Sequence, residues 1–434
     1  MKNKILIILL IILIIPMVQL GAYEDNWGVR LDLNLDFPEV WGSQFGISTD
    51  DKAKFFYRGR WSDAAKIEID GGVEFNGTFL MGVDSDFNFS YNGLHYRVYP
   101  ILDKINFYGN YEKFGYKGGR QFVADPAGLI LNVPFDAVSG SFDIGRHIFR
   151  AGAGYTGLQF GQSTEYYMTR TDAIRSWDFA LAAPRLMEYV SWEMPALTSW
   201  MNISAFFLAL QDFTSTEDQA ENKNKRFNAS YIELKLNGFL GSHFIYNLAG
   251  VGQFGSYGGT SVTAATGKLG ISWLPGTKSQ FGVNVISSTG DTWDNREGYL
   301  LGGTTGNKLN QYIPVSTVST QGYVVEFDLG NLTSLSVFYN NRPSKTFSWE
   351  LRGTAFLRNS DGPVSSLYVN DKNADETFLG AEGLLGFYWR PKSDFGWDWK
   401  IGVMYPGEPI VLDSFVQQFF PVLYKMGFDF SWSF

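Results

Sequence analysis

The chain closes on YKMGFDFSWSF, residues 424–434. Read back from Phe434, every second residue is apolar: Trp432, Phe430, Phe428, Met426 and Tyr424. Ser433, Ser431, Asp429, Gly427 and Lys425 lie between them. A period of two marks a β-strand with one apolar and one polar face. At the edge of a soluble sandwich such a strand would leave a flat aromatic edge open, which soluble sheets avoid. In a transmembrane barrel the apolar face meets lipid, the polar face meets a wet interior, and closure removes the edge.

The other end agrees. MKNKILIILLIILIIPMVQLGAYEDNW has Lys2 and Lys4, then an unbroken apolar run from Ile5 to Ile15, then Pro16 and small residues before Tyr23. This reads as a secretory signal peptide over residues 1–22, leaving 23–434 as a single barrel domain. The run is too short for a comfortable helical span. The chain is 45% apolar and 17% aromatic with 48 glycines, yet its apolar residues come in short alternating pieces, as in a membrane barrel. There is no cysteine, which excludes a disulfide framework, thiolate chemistry and lipid attachment at a cysteine. Without residues 1–22 the chain carries 33 basic and 44 acidic residues, a net −11, which argues against nucleic acid as a partner.

The two-faced pattern recurs throughout. NWGVRLDLNLDF sets Trp27, Val29, Leu31, Leu33, Leu35 and Phe37 against Arg30, Asp32, Asn34 and Asp36. KIEIDGGVEF sets Ile67, Ile69, Val73 and Phe75 against Lys66, Glu68, Asp70 and Glu74. YIELKL opposes Ile232, Leu234 and Leu236 to Tyr231, Glu233 and Lys235. FSWELRGTAFLR opposes Trp349, Leu351 and Leu357 to Glu350, Arg352, Thr354 and Arg358, and WDWKIGVMY opposes Trp397, Trp399 and Val403 to Asp398 and Lys400. A Lys or Arg on the lipid face at the bilayer midplane costs about 2–4 kcal/mol, so several per strand would exceed the stability of a domain. The charged faces therefore point inward. Arg30, Asp32, Lys66, Glu68, Asp70, Glu74, Glu350, Arg352, Arg358 and Lys400 are the expected pore-lining residues.

Short connections at 145–147, 193–199, 237–242, 274–278 and 390–396 alternate with long ones at 160–185, 212–226, 254–266, 288–317, 359–377 and 405–421. This is the pattern of tight periplasmic turns and long outside loops. About nineteen strands can be counted, whereas bacterial single-chain barrels have an even number. The up-down phase fails between 318 and 378. Either PVSSLYV at 363–369 is a further strand, or two short strands near 84–123 or 318–358 are one. The expectation is an all-β, antiparallel, up-and-down transmembrane barrel of about eighteen strands, within sixteen to twenty.

Two stretches resemble the alginate-export type of outer-membrane porin. In GGRQFVADPAGLILNVPFDAVSGSF, residues 118–142, a Gly-Arg-Gln strand and a Gly-containing loop lead to Phe-Asp-small-Val. In TFLGAEGLLGFYWRPKSDFGWDWKIGVMYPGEPI, residues 377–410, Leu-Gly-x-Glu on a strand precedes a turn, a long strand and Tyr-Pro-Gly. The resemblance implies an eighteen-stranded barrel passing a sugar polymer or small solutes. It adds Arg120 as a lumen arginine and Asp136 and Glu382 as inward carboxylates. The expected lumen mixes basic and acidic residues, unlike the strongly basic pore of an alginate exporter. Phe434, with Trp432 and Phe430, likewise resembles the C-terminal signal by which the barrel-assembly machinery recognises outer-membrane barrels.

An outer-membrane enzyme is the rival class. Its catalysis would need a histidine beside a Ser or Asp, with an orienting polar group. His95, His147 and His243 are the only histidines and none lies in such a motif. There is no Gly-x-Ser-x-Gly elbow. Asp84, Asp86 and Asn88 imitate a calcium loop, but Phe89 stands where Gly is needed and His95 where Glu is needed, so no metal or cofactor is expected. Asn76-Gly77, Asn92-Gly93, Asn237-Gly238 and Asp361-Gly362 read as hairpin turns. Two loops are distinctive. Residues 163–186 are rich in Tyr, Trp and Arg, and 407–423 are apolar for an outside loop. Either covers the rim or folds inward to narrow the pore.

The sequence thus supports a bacterial outer-membrane channel, surrounded by lipid, for a small solute or saccharide. An acidic-polysaccharide exporter and an adhesin or structural barrel plugged by its own loops are the alternatives. Solute and oligomeric state stay open.

Overall fold

The computed structural model describes residues 28–35, 52–64, 76–90, 93–111, 113–159, 181–214, 226–292, 308–316, 321–362, 364, 376–392, 395–408 and 422–433. Its strands are β1 (Gly28–Leu35), β2 (Lys52–Ala64), β3 (Asn76–Ser90), β4 (Gly93–Tyr111), β5 (Phe114–Ala124), β6 (Asn132–Ile144), β7 (His147–Tyr155), β8 (Arg185–Thr198), β9 (Met201–Asp212), β10 (Phe227–Leu240), β11 (Phe244–Tyr257), β12 (Thr260–Trp273), β13 (Ser279–Ser288), β14 (Lys308–Leu309), β15 (Leu332–Asn341), β16 (Phe347–Arg358), β17 (Phe378–Lys392), β18 (Phe395–Pro406) and β19 (Leu423–Ser433).

Eighteen of these make the wall. Each pairs antiparallel with its neighbours in sequence, β13 passing over β14 to reach β15. β19 returns to β1, with Leu31 opposite Trp432 and Leu33 opposite Phe430. The terminal aromatic strand is thus held on both sides, by β18 and β1, and is not an edge. The nineteenth strand is the two-residue β14, which pairs parallel with Ser261 and Val262 of β12 beyond the end of β13. The stretch 321–331 alternates like a wall strand, yet it forms only an isolated Gln321–Phe327 bridge and leaves the wall. That removes one strand from the region where the phase fails; residues 363 and 365–369 lie outside the described residues.

Faces alternate as the strand period requires. On β16, Leu351 is 53% exposed while Thr354, Phe356 and Arg358 on the other face are buried. On β10, Ile232 and Leu234 are exposed, and Tyr231 and Glu233 are buried. At the short-turn end, rings make contact from strand to strand on the outer face: Trp273 with Phe281, Phe281 with Tyr339, Tyr339 with Trp349, and Phe387 with Trp399. Such a band is the aromatic girdle of a barrel at a membrane interface. His147 stacks between Phe149 and Trp192, and its Nδ1 accepts from the Trp192 indole at 3.1 Å, so it belongs to this band.

Three expectations need correction. No long loop spans 254–266: β11 and β12 are joined by Gly258-Gly259 alone, with φ of +57° and +89°, the two left-handed residues that a tight hairpin turn demands. Asn237-Gly238 lies inside β10, paired with Asn247 and Tyr246, and the turn comes at 241–243. Asn76-Gly77 opens β3 instead of forming a turn, paired with Tyr108 and Phe107.

Candidate channel interior

The barrel encloses chain as well as space. Between β5 and β6, residues 125–131 turn into the interior. Asp125 holds this turn: its Oδ1 accepts from the N–H of Ile130 (2.9 Å) and Leu131 (2.6 Å), and its Oδ2 from Leu129 N–H (2.9 Å). Aspartate before a Pro-x-Gly turn suits this role, because its short side chain reaches backbone a few residues on. Leu129, Ile130 and Leu131 are buried, packed with Phe135, Leu208, Leu210 and Val251 from the wall. The β13–β15 connection supplies a second inward piece. The Tyr312 hydroxyl donates to Leu129 O (2.8 Å) and Val315 N–H to Ile130 O (2.8 Å).

Polar residues of the inner face tie both pieces down. Glu233 Oε1 accepts from Ala127 N–H (3.0 Å), and Lys235 donates to Pro126 O. The Tyr231 hydroxyl donates to Ile313 O (2.7 Å), and Gln253 accepts from Ile313 N–H (3.0 Å). A third piece, residues 321–329, is clamped from β17. Glu382 Oε1 accepts from Tyr323 N–H (2.8 Å), and its Oε2 from Tyr323 N–H (2.9 Å) and Val324 N–H (2.8 Å). Lys425 pairs with Glu326 at 2.6 Å. Beneath the clamp, Val324, Val325 and Phe327 pack on Phe356, Leu379, Met404 and Leu423.

Space remains beside these pieces. One cavity of about 680 Å³ lies along β4–β9 and is lined by Tyr108, Lys117, Ser139, Arg150, Tyr189 and Glu193 among others. A second, of about 400 Å³, lies along β12–β18 below residues 321–323 and includes Lys268, Glu350, Arg352, Tyr388 and Lys400.

Glu350 and Arg352 share the inward face of β16, pair at 2.8 Å, and line the second cavity with Lys400. Arg358, also inward, is buried at the strand end, donating to Asp361 O (3.1 Å) and Glu376 O (2.9 Å). Glu382 faces inward but is occupied by the 321–329 segment. Arg120 and Asp136 depart from expectation. They bind each other, Nε to Oδ1 at 3.0 Å and Nη2 to Oδ2 at 2.7 Å, and Arg120 also donates to Leu158 O (3.2 Å). Their register sets them on the face opposite the buried Gln121, Phe135 and Ala137, in line with exposed Phe122 and Val138. They pair on that face of the sheet, where Arg120 is itself only 9% exposed. The pairing of β5 with β6 runs through Gly119 without a shift, so the strand period alone sets Arg120 on this face.

Arg30 and Asp32 stand in register with Ser433 and Ser431, at the polar positions of the seam. Lys66, Glu68, Asp70, Glu74 and Phe434 lie outside the described residues, as do 163–180 and 409–421 of the two distinctive loops. Asp125, Tyr312 and Lys268 were not singled out from sequence. The signal for Asp125 was present: a DPAG turn followed by three consecutive apolar residues in a connection is a buried turn.

No protein-family model matches the sequence, and no curated protein matches it. Solved structures do match in fold. Pseudomonas aeruginosa OccK7 (OpdD) aligns with a TM-score of 0.56 at 9% identity, over 94% of this chain and 98% of that one. P. aeruginosa OpdL aligns at 0.54 and 12%, over 94% and 99%. Acinetobacter baumannii OccAB3 aligns at 0.54 and 8%, over 94% and 97%. The chain shares their barrel fold along nearly its whole length.

Proposed function

We propose that the chain is a bacterial outer-membrane channel that passes small solutes. The observation that carries this reading is the eighteen-stranded closed wall, apolar outside and charged inside, whose interior is narrowed by its own segments but keeps two polar cavities. Strand numbers in this range leave an aqueous passage. The structural neighbours are outer-membrane porins, which supports the channel, the outer-membrane location and a role without catalysis. Residues 1–22 serve as the export signal, and Phe434, Trp432 and Phe430 as the signal for the assembly machinery.

Glu350, Arg352 and Lys400 are the pore-lining charges of this reading. The acidic-polysaccharide exporter rests on the two sequence motifs alone. A polyanion needs a continuous basic path, and Glu193 in the first cavity and Glu350 in the second interrupt one; an unscreened carboxylate in a narrow neck repels it by several kcal/mol. The inward segments are the observation that favours the plugged structural barrel. Planar-bilayer recording decides between the two, since a plugged barrel passes no stepwise current.

A further inference from the structure

Two in-register rows cross the wall beside the larger cavity. In the first, Tyr108 on β4 stands opposite Lys117, Lys117 opposite Ser139, Ser139 opposite Gly152, and Gly152 opposite Tyr189 on β8. In the second, Ser141 stands opposite Arg150 and Arg150 opposite Ser191. Directly opposed residues share a face. Apart from Gly152, all of these residues line the cavity.

Gly152 shapes this row. A Cβ there would come within 2.7 Å of the Tyr189 ring, so the ring lies across β7 and reaches toward β6 only because position 152 has no side chain. Phe206 stacks behind it, with centroids 6.0 Å apart and planes at 23°. At the far end the Tyr108 ring is exposed to the cavity. Four strand spacings separate β4 from β8, about 19 Å along the wall. Between the two strands lie the hydroxyls of Ser139, which donates to Gln121 at 3.0 Å, and Ser141, with Ser191 two residues along β8 from Tyr189. The neighbouring charges are engaged: Arg150 pairs with Glu193, and Lys117 also has a partner. The shelf therefore offers the open ring of Tyr108 at one end, the rim of the largely buried Tyr189 at the other, hydroxyls along it, and a carboxylate that opposes an anion.

Building on the channel reading, we propose that this shelf binds a neutral, polyhydroxylated solute, a short oligosaccharide, on its way through the barrel. Sugar rings present C–H faces to aromatic rings, and their hydroxyls both donate and accept, which matches serine and an Arg–Glu pair.

Single-channel recording of the full-length protein with maltotriose, and separately with glucuronate, tests it. Maltotriose should interrupt the open current in a concentration-dependent way. Tyr108→Ala, and independently Gly152→Ala, should weaken this block about tenfold relative to each variant's own open current, while Tyr108→Phe retains it. Heat-modifiable migration on gels certifies that each variant is folded. Should a variant fail that check, calorimetric titration of wild-type protein in detergent with maltotriose replaces it, and absent binding overturns the proposal. An open channel that maltotriose does not block, equal block in all variants, or block by glucuronate alone overturns it as well. Absence of any current overturns the channel reading itself.

Discussion

Glu382 on β17 accepts the backbone N–H of Val324 at 2.8 Å and also holds the N–H of Tyr323, across nearly sixty residues of sequence. This carboxylate keeps residues 321–329 inside the barrel. Glu382→Ala would leave two amides without their acceptor, at a cost of about 1–3 kcal/mol. The wall should still form, because the substitution removes no strand pairing. Single-channel recording should show a larger or noisier conductance, and limited proteolysis should cut near 323. Unchanged conductance would mean that this segment does not narrow the passage.

Asp125 fixes the shape of the 125–131 turn from within, through three amides of that turn. Asp125→Ala should raise conductance as well. Because the two clamps share no residue, the effects of Asp125→Ala and Glu382→Ala should add in the double variant.

The face assignment is tested on adjacent residues of β16. Leu351 is exposed on the outer face, and Arg352 lines the inner cavity. Leu351→Arg should damage insertion by about 2–4 kcal/mol if it lies near the bilayer midplane. Arg352→Glu should insert normally and shift ion selectivity toward cations. Equal insertion with unchanged selectivity for both would mean that the inside-outside register of β16 is wrong.

The seam between β1 and β19 is tested through its aromatic positions. Phe430 and Trp432 stand opposite Leu33 and Leu31. Deleting Phe434 should lower the amount of barrel assembled in cells far more than it lowers the stability of barrel already folded. Wild-type levels of the deletion protein in the outer membrane would remove Phe434 as an assembly signal.

The wall was largely legible in the sequence, because each face obeys a period of two and lipid forbids repeated charge on one of them. The interior was not. An inward Glu or Lys reads the same whether it meets water or a returning segment. Glu233, Lys235 and Glu382 were read as facing a wet lumen, and the structure engages them with backbone of residues 126, 127, 323 and 324. Arg120 and Asp136 were placed inward by the resemblance alone; the strand period, unbroken from Lys117 to Val123, sets them on the face of Phe122 and Val138. In both stretches that resemble the alginate-export porins, a carboxylate anchors an inward segment: Asp125 in the first and Glu382 in the second. A long-range anchor such as Glu382 leaves no periodicity to read, whereas Asp125 acts on amides four to six residues on.

Reversal potentials of single channels in a salt gradient test whether the barrel conducts through a mixed-charge interior. Stepwise current with only a small reversal potential is expected, because Lys268, Arg352 and Lys400 share their cavity with Glu350 and Glu382, and Lys117 and Arg150 share theirs with Glu193. Absence of current, or strong anion selectivity with block by added polyuronate, would contradict it.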